Sequence, residues 1–402
     1  MRKFLIVIIA LLGLAWILPS MYNLATSSYS SSPMSLYSAL THKYYTMTFN
    51  DGEVERKDRE GNIYTQEQFD SLLPMVYARQ LIYRQEMPKK INGITVDINK
   101  IRISNLSYRY RPYYKNTPSI KLYPLIESVP ERLDLVEPSD RFRFVNSIEF
   151  IDMESNTINT KKSKRYNDKF IRHGFKGPVK FISGIPSTRK NYDEGYFIMD
   201  SNNHLFHMKQ VCNTPFITRV RTCDKYDIEY FTATDFTDKQ AYGFFFTKDG
   251  QMYRLLTDMY KVEKIDLPKV DLDNDQLSIM GNYMIWNCTL IHNNEKSCYA
   301  IDVNKMKQVD SIRHKEEMCS NFFDSIIPFE ISFIHSNTRY LELRITNNFP
   351  YSLIFNLIFV LIFVFLERFR IKGTKSILNT LLILATGLYG FIVYIFLLRE
   401  KK

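Results

Sequence analysis

The sequence predicts a membrane-anchored, mainly β protein, in which three transmembrane helices carry an extracytoplasmic β-rich domain. Three observations predict it. Uncharged apolar segments at 4–18, 349–366 and 377–398 bracket a polar stretch of more than three hundred residues. The flanks of these segments are basic on one side. Beyond residue 90 the apolar pattern alternates with period two and is rich in Tyr, Phe, Ile and Thr, as half-buried strands are.

A bilayer core about 30 Å thick needs about 20 mostly apolar residues to be spanned by a helix. Residues 377–398 meet this, and 349–366 meet it with Tyr351 at the interface. The loop between them, 367–376, sets Arg368, Arg370, Lys372 and Lys375 against Glu367 alone, and short loops this basic stay in the cytoplasm. Arg2 and Lys3 place the N-terminus there too, so the stretch between the first and second crossings lies outside. The tail 399–402 dissents with Arg399, Lys401 and Lys402, three charges against six. Residues 1–19 read as an uncleaved anchor rather than a signal peptide, because no clean small-x-small site follows Pro19. A tether then spans 20–33, serine-rich over 27–33, and the outer domain covers 34–348. Within the membrane, Asn356 and Asn379 need hydrogen-bond partners, and Thr386 with Gly390 forms a small-residue face for close helix packing.

The net charge of +10 suggests nucleic acid only until the charges are located. The N-terminal flank carries two of them, the 367–376 loop three and the tail two, which leaves three for the whole domain. A nucleic-acid partner is therefore not expected. The run from Tyr108 through Arg109, Tyr110 and Arg111 to Tyr113, Tyr114 and Lys115 reads as an outward-facing strand alternating rings and guanidinium groups. An oxidising compartment makes disulfides plausible for Cys212 with Cys223 and for Cys288 with Cys298, leaving Cys319 over; buried free thiols are the alternative for both pairs.

The domain opens with a short helical region near 65–86. Thr65 and Gln68 form a capping-box pattern, Phe69, Leu72, Leu73, Val76, Tyr77 and Leu81 recur at helical spacing, and Pro74 forces a kink or two abutting helices. From Gly195 a strand–turn–strand unit recurs every 40–48 residues: 195–208, 243–255 and, degenerate, 282–301 with its Asn293-Asn294 turn. That spacing suits four-stranded propeller blades, so a partial or atypical propeller is expected, with a β-sandwich as the alternative.

Little in the sequence carries chemistry. No P-loop, dinucleotide fingerprint, nucleophile elbow or zinc-protease motif is present, and no cofactor is implied. His204 and His207, three apart on a strand, point to opposite faces and read as half-exposed strand positions. Asp271, Asp273 and Asp275 have the oxygen spacing of a calcium loop, but Gln276 and Asn282 stand where Gly and Glu belong, so these three are weak metal candidates. The most pointed cluster is the loop 184–195, where Arg189, Lys190, Asp193 and Glu194 sit beside Ser187 and Thr188 as a candidate ligand or partner loop. No adjacent His activates either hydroxyl.

Several stretches resemble one uncharacterised bacterial family of envelope proteins: 185–190 through 193–197 and 205–209, 64–81, 122–128 and 148–152. The likeness extends over nearly the whole chain. It implies a domain of unknown function, no assigned catalytic residue, and a tendency to occur with transporter-type membrane proteins. The expected role is therefore a non-enzymatic inner-membrane protein whose periplasmic domain binds a ligand or partner. Its partners would be the lipid bilayer and transporter membrane subunits, as an accessory to an ABC-type system. An envelope hydrolase or a sensor are the competing classes, and about ten cytoplasmic residues leave a sensor little room for output.

Overall fold

The computed structural model describes residues 2–26, 33–50, 52–116, 120–130, 134–292, 295–315, 322–332, 342–346, 349–367 and 374–398. The serine-rich part of the tether, the Asn293-Asn294 turn, Cys319, loop residues 368–373 and the tail 399–402 lie outside them. The chain divides into two compact units. One comprises Met1–Ser32, Phe49–Glu53 and Glu316–Lys402; the other comprises Pro33–Thr48 and Val54–Lys315.

The larger unit is mainly β, built of several small antiparallel sheets. One sheet holds Phe181–Gly184, Tyr196–Met199, Leu205–Val211 and Thr214–Arg219 in chain order. The next holds Ile228–Ala233, Ala241–Thr247, Met252–Leu256 and Val262–Lys264, again in chain order. A third pairs Gln276–Gly281, Ile285–His292, Glu295–Asp302 and Lys307–Lys315, with Leu106–Tyr110 added at its edge. The strand–turn–strand units expected from Gly195 onward are the central hairpins of these three sheets.

Alternation along each strand explains how the sheets are layered. Tyr196 and Ile198 enter a core shared with Phe142, Phe150, Tyr166 and Phe170, whereas Phe197 and Met199 enter the next core with Phe231 and Phe245. Phe245 belongs to that core, while its neighbours Phe244 and Phe246 pack on the opposite face against Tyr108, Tyr110, Ile279 and Trp286. Three consecutive phenylalanines thus serve a strand buried on both faces, which reads in sequence as a continuous apolar run. Each aromatic side chain buried here removes roughly 150–250 Å² from water, so these layers supply the main stabilisation.

The same alternation overturns the 288–298 disulfide. Cys288 stands opposite Tyr299, and Cys298 stands opposite Thr289, one register position away. Their side chains therefore leave opposite faces, Cys288 into one core and Cys298 into another. The 212–223 pairing fails for a different reason: Cys212 is exposed at a hairpin turn with a positive φ of 48°, and Cys223 is buried between sheets. All four thiols are free.

Leu106–Tyr110 also differs from its expected orientation. Tyr108 and Tyr110 turn inward, Tyr110 donating to the Leu272 carbonyl at 2.6 Å, and the exposed positions between the buried ones include Arg109. The Tyr108 and Tyr110 rings are core, and Ser107 and Arg109 face out. Thr65 and Gln68 do form a capping box on Gln66–Leu72, and a second helix, Ala78–Tyr83, follows beyond Pro74. The longest helix without a counterpart in the sequence pattern is Thr160–Arg172. Capped by Asn159, it buries only Ser163, Tyr166 and Phe170, and its outer face is strongly basic.

In the smaller unit, Arg2–Thr26 and Phe349–Glu367 are long and apolar enough to cross a membrane, with mean hydropathy 2.5 and 2.4. Only 11% and 17% of their apolar windows are buried. The third expected span is not one helix. Thr374–Thr386 ends at Gly387 and Leu388–Val393 restarts after it, followed by the π-helical turn Tyr394–Leu398. Gly387 has φ of +56°, and a Cβ there would lie 2.0 Å from the Asn356 side-chain oxygen. Asn356 Nδ2 donates to the Leu384 carbonyl at 2.9 Å, satisfying backbone that the break leaves open. Asn356 therefore finds its expected partner; no hydrogen bond from the Asn379 side chain is found among the described residues.

Candidate functional site

The loop 184–195 turns out to be a clasp. Asp193 is buried; its Oδ1 accepts from the Gly195 N–H at 2.7 Å, and its Oδ2 lies 3.1 Å from Lys190 Nζ. Burial pushes the Asp193 carboxyl above the usual range despite the nearby Lys190 ammonium. Lys190 also reaches Asp235 at 3.3 Å, and Glu194 pairs with Lys209 at 2.8 Å. Of the four candidate residues, Arg189 alone is exposed. The cavity beside the clasp measures about 20 Å³, water-sized, so the loop offers little room for a ligand.

Beneath the clasp lies a group that the sequence did not reveal. His207, expected at a half-exposed position, is completely buried and stacks on Phe197 at 4.3 Å. Its Nε2–H donates to the Glu194 carbonyl, and its Nδ1 accepts from the Tyr260 hydroxyl at 2.8 Å. The carbonyl can only accept, which assigns this tautomer. Burial pushes the imidazole down to about 3, outweighing the Glu194 hydrogen bond. Tyr260 reaches the ring from a turn in which Met259 and Tyr260 both have positive φ, 51° and 54°. Such a turn favours Asn-Gly; Met-Tyr in its place carries strain that the His207 bond helps to hold.

Space for a ligand lies elsewhere, in two clefts of about 740 and 750 Å³ that share Lys115, Glu229 and Lys248. Lys115 comes from the short helix Pro112–Asn116 and pairs with Glu229 at 3.0 Å and Asp273 at 3.2 Å. Burial lowers its pKa, but the two carboxylates outweigh this and hold it above the ordinary lysine value. The first cleft is charged. Asp271, Asp273 and Asp275 line it but do not converge on a cation. Asp271 Oδ1 accepts from the Asp273 N–H and its Oδ2 from Asn274, which hold its carboxyl below the usual range. Asp275 is buried, accepting from the Asp271 N–H at 2.8 Å and from His292 Nδ1 at 2.5 Å. Among the described residues these carboxylates form no metal-holding group: Asp271 and Asp275 close their own turn, and Asp273 pairs with Lys115. The second cleft is aromatic, with Tyr123, Phe144, Phe181 and Tyr230 half-buried, Tyr114 43% exposed, and Lys121 and Lys180 on its lining.

Residues 34–301 match the family model described as Domain of unknown function (DUF4857). The chain belongs to that family. The DUF4857 region contains both clefts apart from Arg313, along with the clasp and His207. No curated protein matches the chain. Among solved structures, it is similar to PorZ, described as an essential bacterial surface component of the type-IX secretion system of Porphyromonas gingivalis. That likeness has 9% identity and a TM-score of 0.22, covering 73% of this chain and 33% of PorZ. The chain therefore spans about a third of the PorZ structure. It is also similar to the Dos1 propeller, at 9% identity and a TM-score of 0.23, over 46% of each chain.

Proposed function

We propose that this DUF4857 protein is a membrane-anchored binding protein whose β domain lies outside the cytoplasm and holds a ligand or partner segment in the paired clefts around Lys115. The same reading takes the blade-sized sheets as parts of a partial or atypical propeller. In this reading the protein is an accessory to an ABC-type transporter, with the bilayer and the transporter's membrane subunits as partners. The observation that carries the binding reading is the pairing itself: a charged cleft and an aromatic cleft of similar size meet at Lys248 and the Lys115–Glu229 ion pair. Half-buried rings with a few polar groups are the usual lining of a recognition site. Anchoring is supported by two apolar helices that are mostly unburied, and the outside placement by the basic flanks at Arg2 and Lys3 and in the 367–376 loop. Purification from mild detergent tests it: a transporter subunit accompanies the wild-type chain and is lost from Lys115→Glu. Recovery of the wild-type chain alone sinks the accessory role.

One observation favours a second reading, a membrane-anchored hydrolase. Buried Asp275 orients His292 in a cleft that Ser297 also lines, an arrangement suited to a general base. Hydrolysis of a simple ester by the purified chain, abolished in His292→Ala, is the result that would establish it; equal rates in both proteins remove it.

A further inference from the structure

We propose that a separate cleft of about 420 Å³, apart from the Lys115 clefts and independent of the binding reading above, is a phosphate-binding site. Arg172 and His173 reach it from the end of the helix Thr160–Arg172, Arg219 from the end of a strand, and Arg221 from the short turn Arg221–Cys223. Among the described residues, no carboxylate lines it. Arg219 is held in a two-point contact with Asp224, Nε at 3.2 Å and Nη2 at 2.8 Å, so that one charge is matched. Among the described residues, Arg172 and Arg221 have no ion-pair partner, and both are exposed. Most charged clusters elsewhere on the domain pair their opposites, as at Lys115, Lys162 and Arg254.

A helix C-terminus attracts cations by its dipole, which accounts for Arg172 and His173. It does not account for Arg221 or Arg219, which other elements bring to the same cleft. Gathering unmatched guanidinium groups costs electrostatic free energy that a bound anion relieves. The planar guanidinium fork suits the paired oxygens of phosphate, and the Thr218 hydroxyl on the same lining adds a donor. The chemistry extends beyond the cleft. Lys161, Lys164 and Arg165 are exposed along the same helix with Asp168 among them, so a net-basic stripe about 17 Å long leads to the site. Such a stripe raises the local concentration of anions. The phosphate could be borne by a soluble compound or by a lipid headgroup.

The test uses the full chain in zwitterionic detergent, with pyrophosphate as the calorimetric probe. Wild type binds it, more weakly as salt rises, and the Arg172→Gln/Arg221→Gln double variant binds at least ten-fold more weakly while keeping its melting temperature. If the double variant fails to fold, Arg221→Gln alone, at an exposed turn, carries the comparison with a several-fold loss. Micelles doped with phosphatidylglycerol, against phosphatidylcholine, identify the source: competition by the anionic lipid alone assigns a headgroup, and no competition assigns a soluble phosphate. Absence of pyrophosphate binding to wild type, or equal binding by the variants, overturns the proposal.

Discussion

Replacing His207 with Phe lowers the stability of the β domain by about 2–5 kcal/mol at pH 7.5, and most of that difference disappears by pH 4.5. The first part follows from the two partners that lose their bonds. The Tyr260 hydroxyl and the Glu194 carbonyl both face His207, and a buried polar group left unpaired costs about 1–3 kcal/mol. The second part follows from linkage. The folded ring stays neutral down to about pH 3, whereas in the unfolded chain it takes a proton below about pH 6.5. A folded pKa depressed in a base favours the unfolded state as the pH falls, so stability present above pH 6.5 is lost on the way to pH 3. Two pH units below 6.5, the penalty reaches about 2–3 kcal/mol in wild type and is absent in the variant. Trp286, buried among the β sheets, reports melting by its fluorescence. A variant with the pH profile of wild type would show that His207 is not the titrating group.

Gly195→Ala prevents the domain from accumulating in its folded form, whereas Gly61→Ala is tolerated. Both glycines have positive φ, +70° and +87°, so each alanine meets about 1–2 kcal/mol of backbone strain. They differ in surroundings. A Cβ at Gly61 meets nothing within 4 Å, while one at Gly195 lies 2.2 Å from the Met208 carbonyl oxygen and 2.9 Å from the Lys209 Cα. Those atoms belong to the strand paired with Tyr196–Met199 and cannot move without breaking the register. Gly195 also donates its N–H to Asp193, so displacement opens the clasp. The expected loss exceeds about 4 kcal/mol, in the range reserved for backbone clashes and broken buried networks. Thermal melts of the two variants side by side give the comparison; equal losses would show that the strand, rather than the clasp, yields.

Local signals in the sequence were legible where one element decides its own structure. Thr65 and Gln68 cap a helix through neighbours three residues apart, and the hairpins after Gly195 close through short turns. The helix Thr160–Arg172 escaped because its only large buried positions, Tyr166 and Phe170, sit among lysines and arginines and leave no apolar stripe to recognise. The disulfide expectation failed because spacing cannot distinguish a directly opposed pair from one shifted by a register position. His207 and Tyr260 lie 53 residues apart, and Lys115 meets Asp273 across 158. Only the layering of the sheets brings such residues together. Charge in the loop 184–195 was visible, but its use as internal bracing depended on partners at 209 and 235.

The proposed function rests on binding in the clefts around Lys115. Site-specific photocrosslinking tests it most directly, with a reactive side chain placed at Tyr114 in the aromatic cleft and, as control, at Tyr83, which is 90% exposed and lines neither cleft. Position 114 is expected to give a discrete crosslinked species in intact cells, position 83 none, and Lys115→Glu is expected to abolish the first. A position 114 that stays uncrosslinked, or that reacts no differently from position 83, would contradict it.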